Sequence, residues 1–199
     1  MSIHEVFPEQ YKQQLDEKLA RITDSFGHFE LPNIEVFDSP KSHYRMRAEF
    51  KIWQDGDTAH YAMFEPSEPR KPIFIEQFPV ASLRINELMP PLMTAVNEHP
   101  LLRQKLFQIE FLSTTKGDTL VTMIYHKSLD DQWQALALTL QEHLDIAIIG
   151  RSRGQKVVLD RDFVTEELKV NKQQFSYQQV EASFTQPNAK VCEKMLTWA

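Results

Sequence analysis

From Tyr44 onward the chain alternates between two kinds of side chain. Met46, Ala48, Phe50 and Ile52 are apolar, and Arg45, Arg47, Glu49, Lys51 and Trp53 fall between them. A period of two is what a half-buried strand requires, because successive side chains point to opposite faces of a sheet. The run ends at Asp55-Gly56, a pair suited to a tight turn, and returns through His60 to Phe64. Together these predict a β-hairpin. A second hairpin is expected from Leu106 to Leu112 and back from Leu120 to His126, around Lys116-Gly117-Asp118.

Between and around the hairpins the spacing changes to threes and fours. Tyr11, Leu15, Leu19, Ile22 and Phe26 share one face of an amphipathic helix that stops at Gly27. Pro32 and Pro40 then hold the chain extended around a short strand at Ile34 to Phe37. A further strand is expected at Ile73 to Glu76, followed by a helical stretch with Leu88, Met89, Leu92, Met93 and Val96 on one side. Pro90-Pro91 interrupts that stretch, and either a kinked helix or two consecutive helices fits. Ser128 is read as the cap of the next helix, with Asp131 three residues on and a buried face of Leu129, Trp133, Leu136, Leu140 and Leu144. Ile146 to Ile149 and Lys156 to Leu159 read as a strand pair, and Lys169 to Gln179 as one more strand. The sum is an α+β fold: a mostly antiparallel sheet built from hairpins, with flanking helices.

Composition limits the chemistry. A 199-residue chain with 42% hydrophobic residues can bury a core as one large domain, or as one domain and part of another. Its net charge of -6 argues against a generally basic nucleic-acid binder, so any basic site must be local. A single cysteine, Cys192, excludes an internal disulfide and a multi-cysteine metal site. The histidines are scattered, and none stands at metal-ligand spacing with another. Asp130-Asp131 suits the start of a helix, and the five glycines form no phosphate loop. Met1 to Gln10 carry no secretion signal, and no apolar run approaches the roughly 18 residues of a membrane span, so a cytoplasmic protein is expected.

The candidate chemistry lies on the outward face of the first hairpin. If Met46, Ala48, Phe50 and Ile52 face the core, Arg45, Arg47, Lys51 and Trp53 project together from the other side. Side chains on that face lie about 6.5–7 Å apart, comparable with phosphates along an RNA strand. Arginine and lysine contact phosphates, and tryptophan offers a flat surface to an unstacked base. Glu49 opposes such binding. From the residues alone an ordinary solvated face with cross-strand ion pairs is the commoner outcome, since charge alternation on half-buried strands is common. A protein-interaction surface is a third reading. Phe107 and His126 sit at opposite ends of paired strands. Alternation places Phe107 with Ile109 and Phe111, on the core side, and His126 at an exposed strand end.

Four segments carry a resemblance: Ser42-His43-Tyr44-Arg45-Met46-Arg47-Ala48-Glu49-Phe50; Leu106-Phe107-Gln108-Ile109; Tyr125-His126-Lys127 with Leu129-Asp130-Asp131; and Ser183-Phe184-Thr185-Gln186-Pro187-Asn188. In order, from about Tyr11 to Ala199, the chain resembles the tRNA (uracil-5-)-methyltransferases. The resemblance implies S-adenosylmethionine-dependent methylation of carbon 5 of the T-loop uridine of tRNA, with no metal or iron–sulfur cluster. In that chemistry a cysteine thiolate adds to carbon 6, the enolate takes the methyl group, and a carboxylate removes the proton from carbon 5. The nucleophile, the carboxylate base and the glycine-rich donor loop have no counterpart here, and Cys192 stands too far upstream to be the nucleophile. The resemblance implies an N-terminal tRNA-recognition domain over residues 1–180 and, over 181–199, the first helix of a Rossmann-like methyltransferase domain. It implies a chain inactive alone, monomeric, with the tRNA T-arm as partner and neither DNA nor membrane. By the same resemblance Gln186 contacts the methyl donor, Lys51 is the first choice for an RNA contact, and Phe107 and His126 touch the T-arm. The alternative is a stand-alone RNA-binding module without catalysis.

Overall fold

The computed structural model describes residues 5–199; the first four residues of the segment read as lacking a secretion signal lie outside that range. The alternating run forms β1 (Arg47–Asp55) and returns as β2 (Thr58–Phe64), with Gly56 at a left-handed φ of 57° in the turn. Ile52 stands opposite Tyr61 and Trp53 opposite His60, which fixes the two faces. Phe50, Ile52 and Tyr61 point inward, and Phe50 meets Tyr61 and Phe111 edge to face. β3 (Pro72–Phe74) pairs with β2, and β4 (Leu106–Ser113) and β5 (Thr119–Tyr125) form the second hairpin. Helix α4 (Asp131–Leu144) returns the chain so that β6 (Ala147–Ser152) runs parallel to β5, and β7 (Gln155–Val158) ends the sheet. The order is β3-β2-β1-β4-β5-β6-β7, with β5–β6 its one parallel pairing. The fold is thus mixed, with a largely antiparallel seven-stranded sheet.

Helices cover the inner face. α2 (Leu83–Glu98) is continuous through Pro90 and Pro91, which settles the choice left open by the sequence in favour of one helix. Both prolines face solvent, while Leu88, Met89 and Leu92 are buried. A short α3 (Pro100–Arg103) follows. The cap of α4 is Asp130, not Ser128: its carboxylate accepts from the Trp133 amide at 2.9 Å. A carboxylate with extended backbone at that position satisfies an open amide and suits the positive end of the helix dipole. Trp133 then packs its indole against Gly150 of β6, where no side chain stands to displace it.

The outer face is covered only in part. β8 (Phe163–Val170) and β9 (Gln173–Val180) form a separate hairpin, where a single strand over Lys169 to Gln179 was expected. Its two-residue loop, Asn171-Lys172, has positive φ at both positions. That conformation usually calls for glycine at the second position, and lysine there conceals the turn. Val164 packs on Leu112, Leu120, Ala147 and Ile149, closing the β5–β6 half of the outer face. The expected strand at Ile34 to Phe37 does not form: the segment carries no regular structure and pairs with no strand among the described residues, and Pro32 and Pro40 frame it. α1 (Tyr11–Ser25) forms as its spacing predicts, yet none of its residues is buried. α5 (Ala189–Trp198) is capped by Asn188 and leans on β8, where Glu193 accepts from the Lys169 amide at 2.9 Å.

The covering hairpin is held to the sheet by charge. Glu181 accepts from Arg151 Nε and Nη2, both at 2.6 Å, and Lys156 stands 3.5 Å away. Thr122 adds a hydroxyl donor at 3.2 Å. Burial alone would raise the Glu181 carboxyl; the Arg151 hydrogen bonds and the nearby cations outweigh it and hold the group below its ordinary value. Glu166, fully buried, accepts from the Thr115 amide at 3.1 Å and its hydroxyl at 2.6 Å. Among the described residues no helix is long and apolar enough to cross a membrane, and no cluster of His, Cys, Asp and Glu could hold a metal.

Candidate nucleic-acid interface

Strands β1 to β3 and the start of β4 leave their outer face open. Lys51 and Trp53 project from it, as the alternation requires. Arg47 shares the face but sits at its boundary, where its guanidinium donates to the Glu181 carbonyl at 2.8 Å. It is a brace for the covering hairpin rather than a free cation. Arg45 precedes β1 and is exposed, its backbone bridging to Ala81 and Asn188.

A β-bulge decides where Phe107 goes. Leu106 pairs with Tyr125 and Gln108 with Ile124, so one residue of β4 has no partner in β5. Lys105, just before, has a φ of 60°, and the His126 amide donates to its carbonyl at 2.8 Å. An unpaired residue is re-aimed by the local bend. Leu106 therefore keeps the core face that alternation assigned to Phe107, and Phe107 turns outward, 37% exposed. The expectation of a core position for Phe107 is overturned for this reason.

The bulge brings three of the candidate residues together. The Phe107 ring stacks on the His126 ring, 4.3 Å between centroids and 22° between planes. The Lys51 ammonium lies 4.2 Å from the Phe107 centroid, within range for a cation–π contact. Lys51 also donates to Gln108 Oε1, and Gln108 Nε2 donates to Glu110 at 2.6 Å. Gln108 is the residue that sequence reasoning missed. A polar side chain at an outward strand position gives no warning that it fixes a neighbour's ammonium. Burial raises the Glu110 carboxyl, Glu49 and Glu181 raise it further, and the Gln108 bond partly offsets them. Trp53 is inclined to Phe64, centroids 6.3 Å apart, two residues along β1 from Lys51.

What results is a stacked ring pair with an ammonium held over Phe107 and a tryptophan nearby, on the open face of the sheet. Such a surface can stack an unpaired base while the ammonium meets a phosphate. Gln186 lies elsewhere, in the segment before α5, half-buried, with its amide 4.0 Å from the Met195 sulfur. One amide does not make a methyl-donor pocket, so no methyl-transfer step is derived from it. Cys192 is on α5; burial pushes its thiol up, and Glu166 and Glu193 add to the shift. That is the opposite of what a nucleophile needs.

The comparisons with known proteins bear on the whole chain. The family described as tRNA (Uracil-5-)-methyltransferase matches residues 10–199. The tRNA/tmRNA (uracil-C(5))-methyltransferase of Cellvibrio japonicus is 53% identical over 95% of this chain and 51% of its own length. That of Stutzerimonas stutzeri is 50% identical over 100% of this chain and 55% of its own. The chain thus spans about half the length of the curated relatives it matches. The crystal structure of Pyrococcus abyssi tRNA (uracil-54, C5)-methyltransferase with S-adenosyl-L-homocysteine superposes with a TM-score of 0.65. It is 19% identical and covers 93% of this chain and 46% of its own. At that identity the likeness concerns the fold. With the family match spanning nearly all its residues, this chain belongs to the tRNA (uracil-5-)-methyltransferases.

Proposed function

We propose that the open sheet face grips the T-arm of tRNA, so that a uridine of the loop can be methylated at carbon 5 with S-adenosylmethionine as donor. The observation that supports this most is the Lys51–Phe107–His126 group, a held cation over a stacked ring pair. In this reading Lys51 swings from over the Phe107 ring to a backbone phosphate, and a T-loop base takes its place on the ring. A uridine inside the folded arm must be turned out of its stack before it can react, at a cost of a few kcal/mol. Contacts to the arm offset that cost. Trp53 and Arg45 extend the grip along the face, and Arg47 contributes by holding the hairpin beside it. Gln186 is assigned to the donor, residues 181–199 to the start of the donor-binding half, and residues 1–180 to recognition. The relatives' names speak of tRNA and tmRNA.

The test is titration of the 199-residue chain against a labelled T-arm hairpin. Phe107→Ala is expected to weaken binding by roughly 10- to 100-fold, the range of one lost base–aromatic stack. Lys51→Ala is expected to weaken it less and to flatten the salt dependence, reducing the slope of log K against log salt by about 0.7–0.9, one phosphate contact. Equal binding by the wild type and both variants would refute the assignment. A methylation assay with labelled donor completes the test: no turnover is expected from this chain. Binding with no turnover in any longer form would favour a stand-alone RNA-binding module.

A further inference from the structure

The ring pair at Phe107 and His126 has a counterpart on the same sheet face. His60 of β2 stacks on Phe74 of β3, with centroids 4.7 Å apart and planes 19° from parallel. Phe74 is 49% exposed, and His60 half-buried beneath it. Register places both on the open face: His60 stands opposite Trp53, and Phe74 opposite Ala62, which itself faces Lys51. α2 and α4 lie on the other side of the sheet, and the β8–β9 hairpin covers only the far half. A phenylalanine presented on a histidine, in near-parallel geometry, thus occurs twice, with Lys51 and Trp53 between.

We infer that the His60–Phe74 pair is a second stacking platform and takes another unpaired nucleobase of the RNA bound at Phe107. The inference rests on the RNA reading of the sheet face proposed above. From β3 to β4 is three strand spacings, about 14 Å, the reach of two or three nucleotides of unstacked strand. Continuity with the Lys51–Phe107–His126 group favours RNA over a protein occupant. So does ring geometry: an aromatic face held open by a histidine behind it suits any base, since every base has a π-face. Among the described residues no ion pair engages His60, and the Asp57 carboxylate nearby is paired with Arg103 at 3.1 Å. The platform therefore contributes stacking and little counterion release.

This separates it from Lys51 by experiment. In anisotropy titrations of the 199-residue chain with a labelled T-arm hairpin, Phe74→Ala is expected to bind about tenfold more weakly with an unchanged salt slope. Phe74→Trp should bind as the wild type does, and Phe74→Leu as the alanine variant does. Since Phe74 lies exposed on an edge strand, all three should melt with the wild type. RNA carrying 5-iodouridine should photocrosslink to the peptide bearing Phe74 as well as to that bearing Phe107. The inference is overturned if Phe74→Ala or Phe74→Leu binds as tightly as the wild type while Phe107→Ala does not. It is overturned too if crosslinks are confined to the Phe107 and His126 peptides; the face would then be left to a protein contact. A wild-type chain that fails to bind the hairpin overturns the RNA reading itself, and this platform with it.

Discussion

Gly150→Ala is expected to cost about 3 kcal/mol of folding stability, the upper end of what overpacking usually costs. A Cβ added there would stand 2.3 Å from Trp133 Cη2 and 2.5 Å from Leu129 Cδ1. Real Cβ atoms do not approach so closely, and neither neighbour is free to leave. Trp133 and Leu129 are buried, and Tyr125 meets the indole edge-on at 5.6 Å. Trp133→Leu should itself destabilise by about 2–4 kcal/mol, as large-to-small changes in cores do. Because the two substitutions act on one contact, the double variant should lose less than the sum of the singles. Chemical denaturation of the four proteins measures this; strict additivity would mean that the glycine is not there for the tryptophan.

Arg151→Met is expected to cost about 3–5 kcal/mol at neutral pH, because it strips the main partner from a buried carboxylate. The Glu181 side chain is 5% exposed, and among the described residues Lys156 at 3.5 Å is its only other cation. The pH dependence has a definite sign. In the wild type the Glu181 carboxyl is held below its ordinary value, so its contribution is present above the unfolded-state pKa and lost as pH falls through the folded one. Without Arg151, burial dominates and the carboxyl moves up. The variant's deficit is therefore largest near neutrality and narrows as the solution is acidified. Melting both proteins from neutral pH downward tests this; a deficit that widens in acid would show that the pair is not what holds the hairpin down.

How much of this was legible depended on which interaction set each element. β1 and β2 were readable because a buried face imposes alternation and Asp55-Gly56 marks the turn. β4 and β5 were readable for the same reason, up to the bulge. In place of the β8–β9 hairpin a single strand over Lys169 to Gln179 was read, because the turn uses Asn171-Lys172, and because β9 is polar along most of its length and shows no buried face. Pro90-Pro91 could not be resolved by propensity alone; what decides is that the pair faces solvent while Leu88, Met89 and Leu92 are buried. At the site, Lys51 and Trp53 followed from alternation. Phe107 did not, since period two sends it inward, and only family likeness pointed to it. The one local signal was the adjacent pair Leu106-Phe107, two large apolar residues that a regular strand cannot both bury on one face.

The outward aim of Phe107 comes from a surplus residue in β4, not from the chemistry of the side chain. Deleting that single position would let Leu106 and Gln108 join a regular ladder with Tyr125 and Ile124, and the ring pair would vanish with the sheet intact. Recognition on such a face is therefore gained or lost through insertion and deletion as readily as through point change. A scan that only exchanges side chains would never sample that axis of variation.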